Sequence, residues 1–211
     1  MYETVDLERI FLQKKLWLVY CLIPIFSFLR NSNEPFGIAI GCFFTCSMIL
    51  FISLYFEDKS KVEKVLASLP VTRKDIVIAK YISSVLFIIL GMIITYVVAI
   101  LVNSLLNQPV NIPEYAIFSA GVAAFIYSLV ALPIKYMGGY EAVSLLNVIL
   151  IFPLVGILDF VCNVLGNKAI MLKVFHSEDL IVVMGTIGIG VLVVYIMSVF
   201  FSIKVFQEKE L

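Results

Sequence analysis

The chain has 211 residues, 62% of them hydrophobic and 14% charged, and its mean hydropathy is +1.09. Soluble domains carry about 45–50% apolar and about 25% charged residues, so a water-soluble fold of this composition could not cover its core, and lipid must be the solvent for much of it. The 15 basic residues balance 15 acidic ones, which leaves no basic footprint for nucleic acid.

A helix needs about 20 apolar residues to cross the hydrocarbon layer. Runs of that kind predict an all-α polytopic membrane protein with six transmembrane helices at about 16–29, 36–56, 81–106, 115–134, 142–165 and 180–203. The chain starts acidic (Glu3, Asp6, Glu8) where a signal peptide would be basic, and no small-residue cleavage site follows the first run. That run is therefore expected to be retained. It is short, but Lys14, Lys15 and Arg30 can snorkel from its ends. Before it, residues 5–15 place Leu7, Ile10 and Phe11 on one side, with Asp6, Arg9 and Gln13 elsewhere. This pattern suits an N-terminal interfacial amphipathic helix with Trp17 at headgroup depth, or else an extension of the first span.

Orientation follows from lysine and arginine. With the N-terminus inside, the inner segments hold Arg9, Lys14, Lys15, Lys59, Lys61, Lys64, Arg73, Lys74, Lys80, Lys135, Lys204 and Lys209, and the outer ones only Arg30, Lys168 and Lys173. An even number of spans with both termini in the cytoplasm keeps that bias intact. Pro24 and Pro153 fall inside spans, where each removes a backbone hydrogen bond. Gly37 and Gly41 form a small-xxx-small pair, and Gly185, Gly188 and Gly190 thin the last span. Such sites suit close helix packing within the chain or between two copies.

The longest inner loop joins the second and third spans. Ser60 and Glu63 have capping-box spacing, and Val62, Val65, Leu66 and Leu69 then form one apolar stripe before Pro70. Thr72 and Asp75 repeat the capping arrangement and open the helix that becomes the third span. A short amphipathic helix of this kind either rests on lipid or docks a cytoplasmic partner.

Candidate chemistry is sparse. The chain has no Gly-x-x-x-x-Gly-Lys-[Ser/Thr] loop to cradle phosphates. His176, beside Glu178 and Asp179, reads as a solvated turn rather than a metal site. Cys42 and Cys46, at i, i+4 spacing, and also Cys21 and Cys162, read as buried small hydrophobes. Asp159, near the outer end of the fifth span, is the one carboxylate within a span, close enough to the interface for water or to reach Asn163. No carboxylate lies near a span's midpoint, which argues against an ion-coupled secondary transporter.

The segments Tyr55-Phe-Glu-Asp-Lys-Ser-Lys61, Leu66-Ala-Ser-Leu-Pro-Val-Thr-Arg-Lys-Asp-Ile-Val77 and Lys80-Tyr81 resemble small type-2 ABC exporter permeases of Firmicutes. That family includes exporters of phenol-soluble modulins and related amphipathic peptides. The resemblance implies that residues 60–69 form a coupling helix docking an ABC ATPase through Ser60, Val62, Glu63, Val65, Leu66 and Leu69, with Arg73 and Lys74 beside it. It also implies a second inner contact over 135–141, where Gly138 and Gly139 make a poor helix. The expected protein is thus a non-catalytic permease in a bacterial cytoplasmic membrane, paired with an identical or similar permease and with two ATPase subunits. Those subunits would bind ATP and Mg, and this chain would bind no cofactor. A bacteriocin-immunity or signalling scaffold without transport activity is the alternative.

Overall fold

The computed structural model describes residues 35–59, 72–105, 113–167, 170, 174–175 and 179–208. The described residues form four long helical elements: α1 (Pro35–Lys59), α2 (Arg73–Leu105), α3 (Glu114–Gly166) and α4 (Leu180–Glu208). In hydrocarbon every backbone N–H and C=O must be satisfied within the chain, which leaves helices as the economical solution for these apolar runs. Among the described residues, 5 helical stretches are long and apolar enough to cross a membrane. Pro35–Glu57, Glu114–Leu145 and Leu180–Glu208 contain the predicted second, fourth and sixth spans, Arg73–Leu101 covers 81–101 of the third, and Ile149–Gly166 covers 149–165 of the fifth. The predicted first span and the interfacial helix before it lie outside the described residues.

α3 contributes two of the five, Glu114–Leu145 and Ile149–Gly166, and its backbone leaves helical geometry within the first of them, dividing α3 into two limbs. Gly139 adopts φ 73° and ψ −169°, a combination in practice restricted to glycine. The chain reverses there: a Cβ at Gly166 would lie 3.4 Å from the Tyr115 ring, so the far ends of the limbs meet. Residues 114–138 and 140–166 are therefore an antiparallel helical hairpin with a one-residue turn. The expected inner segment 135–141 is helical on both sides of that single break, whereas the two adjacent glycines suggest a longer irregular stretch.

α1 and the first limb of α3 form the inside of the bundle. In each, 61% of the most apolar stretch is buried, against 11% for α4. Small residues explain the closeness. Ala39, Cys42 and Cys46 of α1 are buried, and so is the row Ala116, Ala120, Ala123, Ala124 and Ala131 of α3, so backbones approach where no bulky side chain holds them apart. The tightest approach is between α1 and α2. A Cβ on Gly91 would come within 2.7 Å of Cys46 Sγ and 3.0 Å of its Cα, and the Cys46 thiol donates to the Ile88 carbonyl at 3.5 Å. Cys42, Cys46 and Cys162 are buried as free thiols. By contrast, a Cβ at Gly185, Gly188 or Gly190 would meet nothing within 4 Å, while Val183, Met184 and Ile187 of the same stretch pack with Leu165, Tyr115 and Phe118 of α3.

Hydroxyl groups inside the spans are satisfied locally. Thr45, Ser47, Ser83 and Thr95 donate to the carbonyl four residues back, and Ser119 and Ser128 to the carbonyl three back. A second set of hydroxyls ties α4 to α2. The Tyr81 hydroxyl lies 2.8 Å from Ser198 Oγ and 2.7 Å from Ser202 Oγ. Tyr195 donates to the Tyr81 carbonyl at 3.0 Å, and Ser198 donates across to the Leu129 carbonyl of α3 at 3.0 Å. The outward faces of α2, the second limb and α4 carry large exposed apolar side chains such as Leu86, Ile93, Phe152, Phe160, Met197 and Phe200, as a lipid-facing surface requires.

Two substitutions test this packing. Gly91→Leu is expected to destabilise the solubilised protein by about 1–3 kcal/mol through overpacking against Cys46. Gly139→Ala should cost a similar amount, about 1–3 kcal/mol, through backbone strain. Gly188→Ala, where a Cβ meets open space, is the control. Thermal midpoints of Gly91→Leu or Gly139→Ala equal to that of the control would contradict the helix crossing or the turn.

Candidate functional site

Side-chain contacts gather four chain segments at one end of the bundle: the end of α1, the start of α2, the Gly139 turn and the end of α4. Phe51 and Tyr55 of α1 pack on Tyr140 just past the turn, with ring centroids 5.3 and 5.4 Å apart. Tyr136, just before it, packs on Phe206 of α4 at 5.0 Å. Arg73 reaches from the first turn of α2 to the end of α4, where its guanidinium donates to the carbonyls of Phe206 (3.3 Å) and Gln207 (3.1 Å). These are carbonyls that a helix C-terminus leaves without intrahelical partners, and they sit at the negative end of the helix dipole.

At the centre of this end stands a shared carboxylate. Glu57 of α1 forms ion pairs with Lys80 of α2 through Oε1 and with Lys135 of α3 through Oε2. Lys80 also donates to Ser53 Oγ, one turn back on α1, at 3.0 Å. Both lysine residues are buried, at 8% and 3% exposure, while the Glu57 side chain keeps 29%. Three helices therefore meet on one group. α2 has 33 residues, a length of about 50 Å at 1.5 Å per residue. The hydrocarbon core is only about 30 Å thick, so the first turns of α2, with Lys80, have length to spare for the interface.

Of the residues picked out in the sequence as partner-binding, Ser60, Val62, Glu63, Val65, Leu66 and Leu69 lie outside the described residues. Arg73 and Lys74 are described, and the structure separates them. Arg73 is half-buried and turned to α4, whereas Lys74 is exposed on the first turn of α2. Thr72 caps that turn as its spacing predicts: the Asp75 amide donates to Thr72 Oγ1 at 3.3 Å, and the Thr72 hydroxyl donates to the Asp75 carboxylate at 2.6 Å. Asp159 is reached by Asn163 at 3.1 Å, as expected from their spacing. Among the described residues no group of three potential metal ligands gathers.

The triad itself escapes a reading by loops and spans, which assigns Lys80 and Lys135 to inner connections as solvated positive charge. A signal is present in the sequence. Each lysine stands alone in an apolar run, Ile76-Val-Ile-Ala-Lys-Tyr-Ile82 and Ala131-Leu-Pro-Ile-Lys-Tyr-Met137, and an isolated charge in such a run has to find a buried partner. What the arrangement does chemically is join helices. It presents no nucleophile beside a base.

Taken together, the fold and this end of it define a multi-pass membrane domain whose described lysine and arginine residues are gathered toward one end. The chain belongs to the family described as ABC-2 family transporter protein, whose pattern it matches over residues 7–207. It is thus the membrane permease component of an ABC transporter, and its family implies an ABC ATPase as partner. No curated protein and no solved structure matches the chain.

Removal of Glu57 tests the triad energetically. Glu57→Ala leaves two buried ammonium groups without their carboxylate and is expected to cost about 3–5 kcal/mol, as for other broken buried ion pairs. Replacing all three groups by methionine removes both the attraction and the desolvation penalty, and such exchanges are often neutral or stabilising. Thermal unfolding in detergent should therefore rank the triple-methionine protein above Glu57→Ala. The reverse order would show that the charges are not mutually compensating.

Proposed function

We propose that the chain is the permease subunit of an ATP-driven exporter, entered by its ATPase at the end of the bundle that holds Glu57, Arg73, Lys80 and Lys135. The observation that carries this reading is the family match over nearly the whole chain, joined to the clustering of the end of α1, the start of α2, the Gly139 turn and the end of α4 at one face. Basic residues concentrate at that face, so it is taken as cytoplasmic in a bacterial membrane, with both chain ends inside.

In this reading residues 60–69 form the coupling helix that docks a separately encoded ATPase, and the exposed Lys74 flanks the contact. The Gly139 turn supplies the second contact. Two permeases, identical or similar, associate with two ATPase subunits, and ATP and Mg are bound by those subunits. Cargo is a hydrophobic or amphipathic peptide, consistent with the apolar, aromatic faces of α2 and α4 and with the resemblance to peptide exporters.

Two experiments test the reading. In a background lacking the native cysteines, Ser60→Cys should resist an impermeant thiol reagent in intact cells, while Lys168→Cys should react. Labelling of Ser60→Cys would invert the topology. For docking, Leu66→Asp should weaken pull-down of the co-encoded ATPase by about ten- to a hundredfold, because a lost apolar anchor costs about 1.5–3 kcal/mol and each 1.4 kcal/mol is about tenfold. The size-exclusion profile should stay normal. Undiminished ATPase capture by well-folded Leu66→Asp, Val62→Asp, Val65→Asp and Leu69→Asp would remove this loop from the contact. Absence of any co-purifying ATPase would favour the non-transporting scaffold.

A further inference from the structure

Glu57 stands near the end of α1, Lys80 two turns into α2, and Lys135 four residues before the Gly139 break. The three positions therefore bracket both chain connections at the basic end. Glu57 offers a different carboxylate oxygen to each lysine, so both pairs hold at once. Since Lys80 and Lys135 are almost wholly buried, parting either ammonium from Glu57 would strand a charge away from water, which is far costlier than moving all three together. Beside this stiff knot lies the one break in the α3 backbone. Gly139 sits outside helical geometry, and a Cβ there would meet nothing within 4 Å. The open space at the Gly139 Cβ position leaves the turn room to change its angle, and Tyr140 beyond it packs on α1 through the rings of Phe51 and Tyr55.

We propose that Glu57 is a positioning residue that makes the basic ends of α1, α2 and the first limb of α3 one rigid unit, so that a load applied at the start of α2 is delivered to the Gly139 hinge and re-aims the second limb. This rests on the reading of the chain as a permease driven from its basic end, yet testing it needs no ATPase. Lys74 is exposed on the first turn of α2. In a full chain with its four cysteines replaced by alanine, Lys74→Cys can be biotinylated and loaded with monovalent streptavidin in lipid nanodiscs. Hydrogen exchange at residues 136–142 then reads the hinge. Loading is expected to change exchange there by about threefold or more in the parent, a shift characteristic of altered local opening. After Glu57→Gln the same load should leave exchange at 136–142 unchanged, and Glu57→Asp, which keeps the carboxylate, should restore part of the response.

A tie that merely stabilised the fold would alter exchange with or without the load, whereas the proposal requires the response to loading to vanish. The triple-methionine protein, in which packing replaces charge, should also lose the response, and it decides the matter if Glu57→Gln does not fold. An undiminished response in either variant, or no response in the parent, overturns the proposal. Because streptavidin stands in for the ATPase, a failed ATPase pull-down with an intact response here would count against the transporter reading and not against the tie.

Discussion

One carboxylate answers for two buried lysines, and the geometry of the basic end follows from that obligation. Two like charges a few ångströms apart repel, and each needs compensation where water is scarce. Glu57 supplies it only if α1, α2 and the first limb of α3 end together at the same level. The ends of these helices are thereby set relative to one another at the face where α1 ends, α2 begins and the chain turns at Gly139. Arg73, by capping α4 from the first turn of α2, brings the last helix to the same end of the bundle.

Elsewhere in the bundle the cohesion is of a different kind. Lipid tails give apolar helices little reason to prefer one another, so association rests on close packing and on hydrogen bonds between helices. The Gly91–Cys46 crossing and the alanine row of α3 supply the first, and the Tyr81–Ser198–Ser202 and Tyr195 contacts supply the second. The later part of α4 is held by those hydroxyls and by Arg73, and its start packs through Leu180, Val183, Met184 and Ile187 on Leu165, Tyr115 and Phe118 of α3. A Cβ on any of its three glycines would meet nothing within 4 Å.

Much of this was legible in the sequence. Long apolar runs predict the spans because hydrocarbon thickness sets their length, and the Thr72–Asp75 cap is a local pattern with a local cause. Less legible were features that depend on which helices become neighbours. Gly91 looks no different from the glycines of α4 until Cys46 is set against it. Gly138 and Gly139 signal a weak helix, yet only the meeting of Tyr115 with Gly166 reveals a reversal. Lys80 and Lys135 count toward the positive bias of the inner side, and that accounting hides their burial. The pairing partner, Glu57, is far from Lys135 in sequence, so no periodicity connects them.

The one-residue turn at Gly139 also bears on how the chain enters the bilayer as it is made. The two limbs of α3 have no loop between them and meet at their far ends, so they lie in the bilayer as a paired hairpin. Lys135, close to the turn, then settles at the same face as Glu57 and Lys80 without being drawn through hydrocarbon, a passage that would cost about 2.5–3.5 kcal/mol or more for a single lysine. The tightness of that turn thus lets the charged cluster assemble from groups that never leave one surface of the membrane.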